Sequence, residues 1–183
     1  MNSELKKIAK ITLHVLSKKS WTAISLKEIQ TKSKVKSFNN LIKSKNELLK
    51  NINAYFDYLL SLNIKSVDKS NHKDMIFEII MMRFDILESN RKQILSIFDS
   101  FKKKPQEILF LLPSLLDSII IMTKFANIPT TGLVGQLKIK GILIIYFSTF
   151  LIWVKDKSSS LEKTMTALDS YLDRAGKILK FIN

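Results

Sequence analysis

Apolar residues recur at intervals of three and four along nearly the whole chain, glycine and proline are scarce, and no stretch alternates in the manner of a strand. That period predicts helices throughout. The expected helices run over 3–18, 26–32, 36–42, 46–66, 73–88, 90–103, 106–126, 132–155 and 160–181, an all-α chain of about nine helices. Their starts are written in the polar residues. Ser25-Leu-Lys-Glu28, Ser44-Lys-Asn-Glu47 and Ser159-Ser-Leu-Glu162 each offer a hydroxyl for an amide of the first turn and a carboxylate three residues on. Pro105 suits the first turn of another helix, where its missing N–H costs nothing. A long helix, two short ones joined by a tight turn, and a further long helix follow helix-turn-helix order. The expected division is a helix-turn-helix module at 1–50 and a helical body at 51–183 that carries ligand and dimer contacts.

Two runs break the amphipathic rule. Gly141–Val154 reads GILIIYFSTFLIWV, and 108–122 reads ILFLLPSLLDSIIIM. The first, bounded by lysines, is shorter than the roughly 20 residues a bilayer crossing needs; the second carries Pro113 and Asp117. Both are expected to be core helices or the wall of an apolar pocket. At 100° per residue, Ile139, Ile142, Tyr146, Phe150 and Trp153 share one side of helix 132–155. Gly141, Ile145, Ser148 and Ile152 share nearly the opposite side, small enough for a close helix contact, and Ile144, Phe147, Leu151 and Val154 form a third strip. A helix apolar all round must be covered all round, which places this one centrally and beside a subunit interface. In the last helix Leu161, Met165, Leu168, Leu172, Ala175, Leu179 and Ile182 alternate spacings of four and three, a seam that packs within its own subunit or across a two-fold axis. Met75, Phe77, Met81, Met82 and Phe84 read first as core, with methionine also suiting a pocket for varied apolar shapes. Arg83 and Asp85 read as an exposed face, and Lys102–Lys104 as a solvated helix end favoured by the helix dipole.

Charge narrows the chemistry. The formal net charge is +14 over 183 residues. Residues 1–50 hold twelve lysines against Glu4, Glu28 and Glu47, an excess of nine, while the rest of the chain has an excess of five. The basic excess therefore sits on the helix-turn-helix module, where Lys34, Lys36, Ser37, Asn39, Asn40, Lys43 and Lys45 flank the second short helix and can meet phosphates or base edges. There are no cysteines and only His14 and His72, neither with a neighbouring carboxylate or serine in a recognisable motif. Gly132–Gly141, GLVGQLKIKG, lacks the Gly-Lys-Ser/Thr of a phosphate loop and reads as helix-packing glycines. The expectation is a non-catalytic protein with no cofactor and no metal. Lysines scattered through the N-terminal apolar positions do not form a signal peptide, so a cytoplasmic place is expected, peripheral at the inner membrane face.

Two resemblances refine this. Trp21-Thr-Ala-Ile-Ser-Leu-Lys-Glu-Ile29, Val35 and Ser44-Lys45-Asn-Glu-Leu-Leu49 resemble the N-terminal module of TetR-type regulators over about the first 55 residues. Ser33-Lys34-Val35 stands where that family usually has Ala-Gly-Val, and Phe38 alone keeps the aromatic character of its third helix. Over 74–176 the chain resembles the ubiquinone (coenzyme Q) biosynthesis lipid-binding accessory proteins, the coenzyme Q "nine" family, themselves built on the TetR fold. Phe77-Glu-Ile-Ile-Met-Met-Arg-Phe-Asp-Ile-Leu87 with Arg91, Gly132–Gly141, Trp153-Val-Lys-Asp156 and Lys163–Ala175 carry it. The resemblance implies a non-catalytic homodimer that holds an isoprenoid lipid or quinone precursor in its C-terminal body, touches the membrane peripherally and presents its ligand to a ubiquinone-pathway hydroxylase. The family's hydroxylase-facing aromatic pair aligns with Gly135 and Gln136 here. The expected lipid wall is Phe84, Leu87, Leu116, Ile120, Leu143, Tyr146, Phe147, Phe150 and Trp153. The alternative from the same fold is a DNA-binding transcriptional regulator that responds to an apolar ligand.

Overall fold

The structure, a computed structural model, describes the backbone of residues 1–64 and 71–182 and the side chains of those residues through 177. Among the described residues all regular structure is helical: α1 Ser3–Leu16, a 3₁₀ turn Trp21–Ala23, α2 Leu26–Ser33, α3 Phe38–Leu41, α4 Lys45–Asn63, α5 His72–Glu88, α6 Arg91–Lys103, α7 Gln106–Phe125, α8 Gly132–Lys155 and α9 Glu162–Ile182. Every helix expected from the period is present. The expected tail of α4 at 65–66 and the side chains of Leu179 and Ile182 lie outside the described residues.

The chain forms two compact units, Met1–Ser61 with Ile86–Leu115, and Leu62–Asp85 with Leu116–Asn183. This differs from the expected boundary at residue 50. The cause is α6: the Trp21 N–H donates to Ser96 Oγ at 2.9 Å and Lys92 Nζ donates to the Ser17 carbonyl at 2.8 Å, so residues far along the chain complete the N-terminal module. Asn53 extends the same unit to α7, its amide donating to the Ser114 carbonyl and hydroxyl at 3.1 and 2.9 Å. Polar side chains with distant partners leave no trace in a hydrophobic period.

Within the first unit Ile8, Leu16, Ile29, Phe38, Leu48 and Ile52 are almost fully buried. Ser25 Oγ accepts from the Glu28 N–H and Ser44 Oγ from the Glu47 N–H, both at 3.2 Å, as the caps predict. The α2–α3 turn holds Lys34 at φ 53°, ψ 32°, the left-handed conformation that glycine adopts without strain. A lysine takes it at a cost of roughly 1–2 kcal/mol. The turn geometry is thus kept without the residue that usually permits it.

In the second unit α5, α7, α8 and α9 enclose Ile79, Phe84, Ile119, Met122, Trp153 and Leu168. The α8–α9 connection is organised by Asp156, which is buried. Its Oδ1 accepts from the Ser158 N–H and hydroxyl, and its Oδ2 from the Thr164 N–H and hydroxyl at 2.9 and 2.8 Å. Burial pushes this carboxyl up, but the four hydrogen bonds outweigh it and hold the group well below the usual carboxylate range. The expected cap at Ser159 is therefore corrected: Asp156 and Ser158 serve the first turn of α9, because Leu161 takes φ 53° and reverses the chain before the helix starts. Arg83, expected on an exposed face, is buried. It lies three and four residues after Ile80 and Ile79, on the buried stripe of α5.

Gly135 sits under the α7–α8 loop, where a Cβ would come within 2.1 Å of the Thr130 carbonyl carbon. The packing role expected for the glycines holds there; at Gly141 a Cβ would meet open space. By length and composition α7 and α8 both suffice to cross a membrane, with 28 % and 33 % of their apolar windows buried within the chain. The expected argument from shortness fails for α8, whose 24 residues extend beyond the apolar run at both ends.

Candidate functional site

The apolar site is built on the side of α8 that faces α5. Phe84 and Tyr146 stack with ring centroids 5.4 Å apart, Phe84 and Trp153 lie 6.3 Å apart, and Phe150 and Trp153 lie 5.3 Å apart. Four of the nine expected lipid-wall residues therefore form one aromatic cluster. Phe84, Tyr146 and Trp153 are buried, while Phe150 is half-buried. Leu116 and Ile120 on α7 and Leu143 and Phe147 on α8 are half-buried in the same unit, and Leu87 belongs to the first unit. Thr149, one turn from both Tyr146 and Trp153, is fully buried, and its Oγ1 has no hydrogen-bond partner among the described residues. Such a hydroxyl leaves a donor and an acceptor for a polar group. The cluster is a packed aromatic core with one buried hydroxyl beside it. No three His, Asp or Glu side chains come together to hold a metal among the described residues.

The faces of α8 divide differently from their expected roles. Ile139, Ile142, Tyr146 and Trp153, expected on one side, are buried together, and they are joined by Thr149 and by Ile145 from the side expected to lie nearly opposite. Leu137, Ile144 and Leu151 are 57 %, 65 % and 50 % exposed. Seven residues apart, they form one straight stripe, with Gly141 and Ser148 between them. Its signal is the heptad spacing, masked because apolar residues crowd the helix from Gly141 to Val154. In α9 the seam packs within its own chain through Leu161, Leu168 and Leu172, while Met165 is exposed. The described part of the seam is thus covered by the chain itself at Leu161, Leu168 and Leu172 and open at Met165.

The candidate nucleic-acid surface is carried by the first unit. Lys34, Lys36, Asn39, Asn40 and Lys43 are exposed around α3. Ser37 and Lys45 are committed elsewhere: the Ser37 hydroxyl donates to Glu4 Oε2 at 2.6 Å, and Lys45 Nζ donates to the Trp21 carbonyl at 2.6 Å while lying 4.8 Å from the centroid of the Trp21 ring. Burial draws the Lys45 ammonium below its usual range, Glu107 opposing that shift and Lys104 adding to it. Both side chains fix the module internally. The sequence groups them with the others because position along a helix does not reveal a partner 33 or 24 residues away.

No protein-family model and no curated protein matches the chain. Among solved structures, the chain is similar to the TetR transcriptional regulator from Nitrosomonas europaea ATCC 19718, at a TM-score of 0.74 and 18 % identity, over 96 % of this chain and 99 % of that one. The fold is TetR-like.

Proposed function

We propose that this chain is a non-catalytic, homodimeric regulator of the TetR fold, binding DNA through its first unit and an apolar ligand through its second. One observation carries the reading: the helix-turn-helix keeps its left-handed turn at Lys34 and presents Lys36, Asn39 and Asn40 outward from a strongly basic module. Likeness to a transcriptional regulator along the whole chain supports it. A second copy fits the α8 stripe. Leu137, Gly141, Ile144, Ser148 and Leu151 read large, small, large, small, large in either direction, the self-complementary order that a two-fold axis beside Ile144 requires. The aromatic cluster and the Thr149 hydroxyl suit a mostly apolar ligand with one polar end. Selection of fragments of the source genome by the purified protein tests the reading. Enrichment of a site with two-fold symmetry is expected, and uniform recovery contradicts it.

A specific observation favours a second reading, a lipid-binding accessory protein of ubiquinone biosynthesis that holds an isoprenoid lipid or quinone precursor. The would-be recognition helix α3 has only four residues, and Ser37 and Lys45 are turned to internal partners. This version loses one contact: the Thr130 backbone fills the space beside Gly135, so an aromatic side chain does not fit there. Contact with a hydroxylase would fall to the exposed Gln136 and its neighbours. Native mass spectrometry of the purified protein tests this reading, which expects a co-purifying isoprenoid and is contradicted by a dimer free of lipid.

A further inference from the structure

We propose that a groove between α1 and α2, inside the DNA-binding unit, is a second ligand site that takes a small amphiphilic anion: a carboxylate or phosphate on a short apolar chain. The groove encloses about 330 Å³ and is lined by Ile11, His14, Val15, Lys18, Lys19 and Lys32. That volume falls at the low end of small-molecule sites. Ile11, His14, Val15 and Lys18 are spaced three, one and three apart, so they share one face of α1 and its C-terminal extension. Lys32 comes from the last turn of α2 and Lys19 from the connection after α1.

The lining separates into two chemistries. Val15 is buried and Ile11 half-buried, which gives an apolar floor, while His14 and the three lysines are exposed at the rim. The carboxylate paired with them is Glu28. Glu28 accepts from Lys19 at 2.9 Å and from Lys32 at 2.8 Å, and these two hydrogen bonds hold its carboxyl below the usual range. Lys18 makes no ion pair among the described residues, so the rim keeps two positive charges in excess of Glu28. An anion placed between Lys18 and Lys32 meets that excess while its apolar part covers Ile11 and Val15. A nucleic-acid phosphate would satisfy the lysines and leave the floor bare, which is why an amphiphile fits better.

Calorimetric titration of the full chain at fixed ionic strength tests this, with acetate, hexanoate, octanoate, octyl phosphate and inorganic phosphate as probes. Affinity should rise with chain length, by up to about fourfold per methylene if each is fully buried, and octyl phosphate should bind at least tenfold tighter than inorganic phosphate. Lys18→Gln with Lys32→Gln should weaken octanoate at least tenfold, whereas Lys103→Gln with Lys104→Gln, an equal charge loss at the C-terminal end of α6, should leave it unchanged. All four positions are exposed, so melting curves should overlay. The proposal is overturned if inorganic phosphate or random duplex DNA competes as well as octyl phosphate, which would mean plain charge attraction. It is equally overturned if octanoate binds the Lys18/Lys32 variant as it binds the parent, which would place the ligand elsewhere.

Discussion

Replacing Asp156 by alanine should destabilise the second unit by about 2–4 kcal/mol. The change deletes the acceptor for four hydrogen bonds, two of them from the N–H groups of Ser158 and Thr164. A capping residue alone is worth about 0.5–2 kcal/mol, and a hydrogen bond to a charged group about 1.5–3 kcal/mol. The contributions do not add fully, because the hydroxyls of Ser158 and Thr164 can turn to other acceptors. The N–H of Thr164, a fully buried residue, cannot. Asp156→Asn should cost about half as much, since its amide oxygen can still accept while its NH₂ confronts a donor. Urea unfolding read by tryptophan fluorescence suits the test: there are two tryptophans, Trp21 in the first unit and Trp153 in the second, so a Trp21→Phe background reports the second unit alone. The folded-state pKa of Asp156 is depressed, so its stabilisation is present above the unfolded value of about 4 and is lost as pH falls below it. Wild type and Asp156→Ala should converge on acidification. A difference below about 0.5 kcal/mol at pH 7, or one unchanged between pH 7 and pH 3, would refute the reasoning.

With the proposed two-fold interface on the α8 stripe, Ile144→Glu should leave the chain monomeric, because burying the exposed Leu or Ile side chains of the stripe is worth about 1.5–3 kcal/mol each and a central charge reverses that gain; light scattering on a sizing column reads the mass of parent and variant, and a variant that stays dimeric would move the interface off this stripe. Lys34→Gly should stabilise the first unit by about 0.5–1 kcal/mol through relief of the left-handed strain, and a loss of stability in denaturant titration would show that Lys34 is not strained. Phe84→Ala should cost about 3–5 kcal/mol and half-buried Phe150→Ala clearly less, with melting temperatures as the readout. Equal losses would contradict the layered cluster.

The sequence predicted what depends on neighbours along the chain. Helix ranges, the Ser25 and Ser44 caps and the Ser33-Lys34-Val35 turn all follow from residues within a few positions of one another. The missing information lies in contacts closed by the fold. Ser37 and Lys45 look like phosphate donors until Glu4 and the Trp21 carbonyl come beside them. Arg83 looks solvated until the α5 stripe turns inward. The start of α9 was misplaced because three serines in a row offered hydroxyls while the acceptor in use, Asp156, stood eight residues before Thr164. Along α8 the period carries almost no directional information, since apolar residues occupy every face. Which stripe is left open, at Leu137, Ile144 and Leu151, is decided by the helices packed on the other sides.

The regulator reading rests on sequence-selective DNA binding, and fluorescence anisotropy measures it directly. Duplexes tiling the region upstream of the protein's own reading frame are compared with random duplexes of equal length at about 50 and 200 mM salt, the range over which phosphate contacts alone lose most of their affinity. One duplex should be bound about a thousandfold or more above random at the higher salt, with affinity lowered by an apolar ligand. Equal affinity for every duplex, vanishing together as salt rises, would contradict it and leave the basic module as a general polyanion surface.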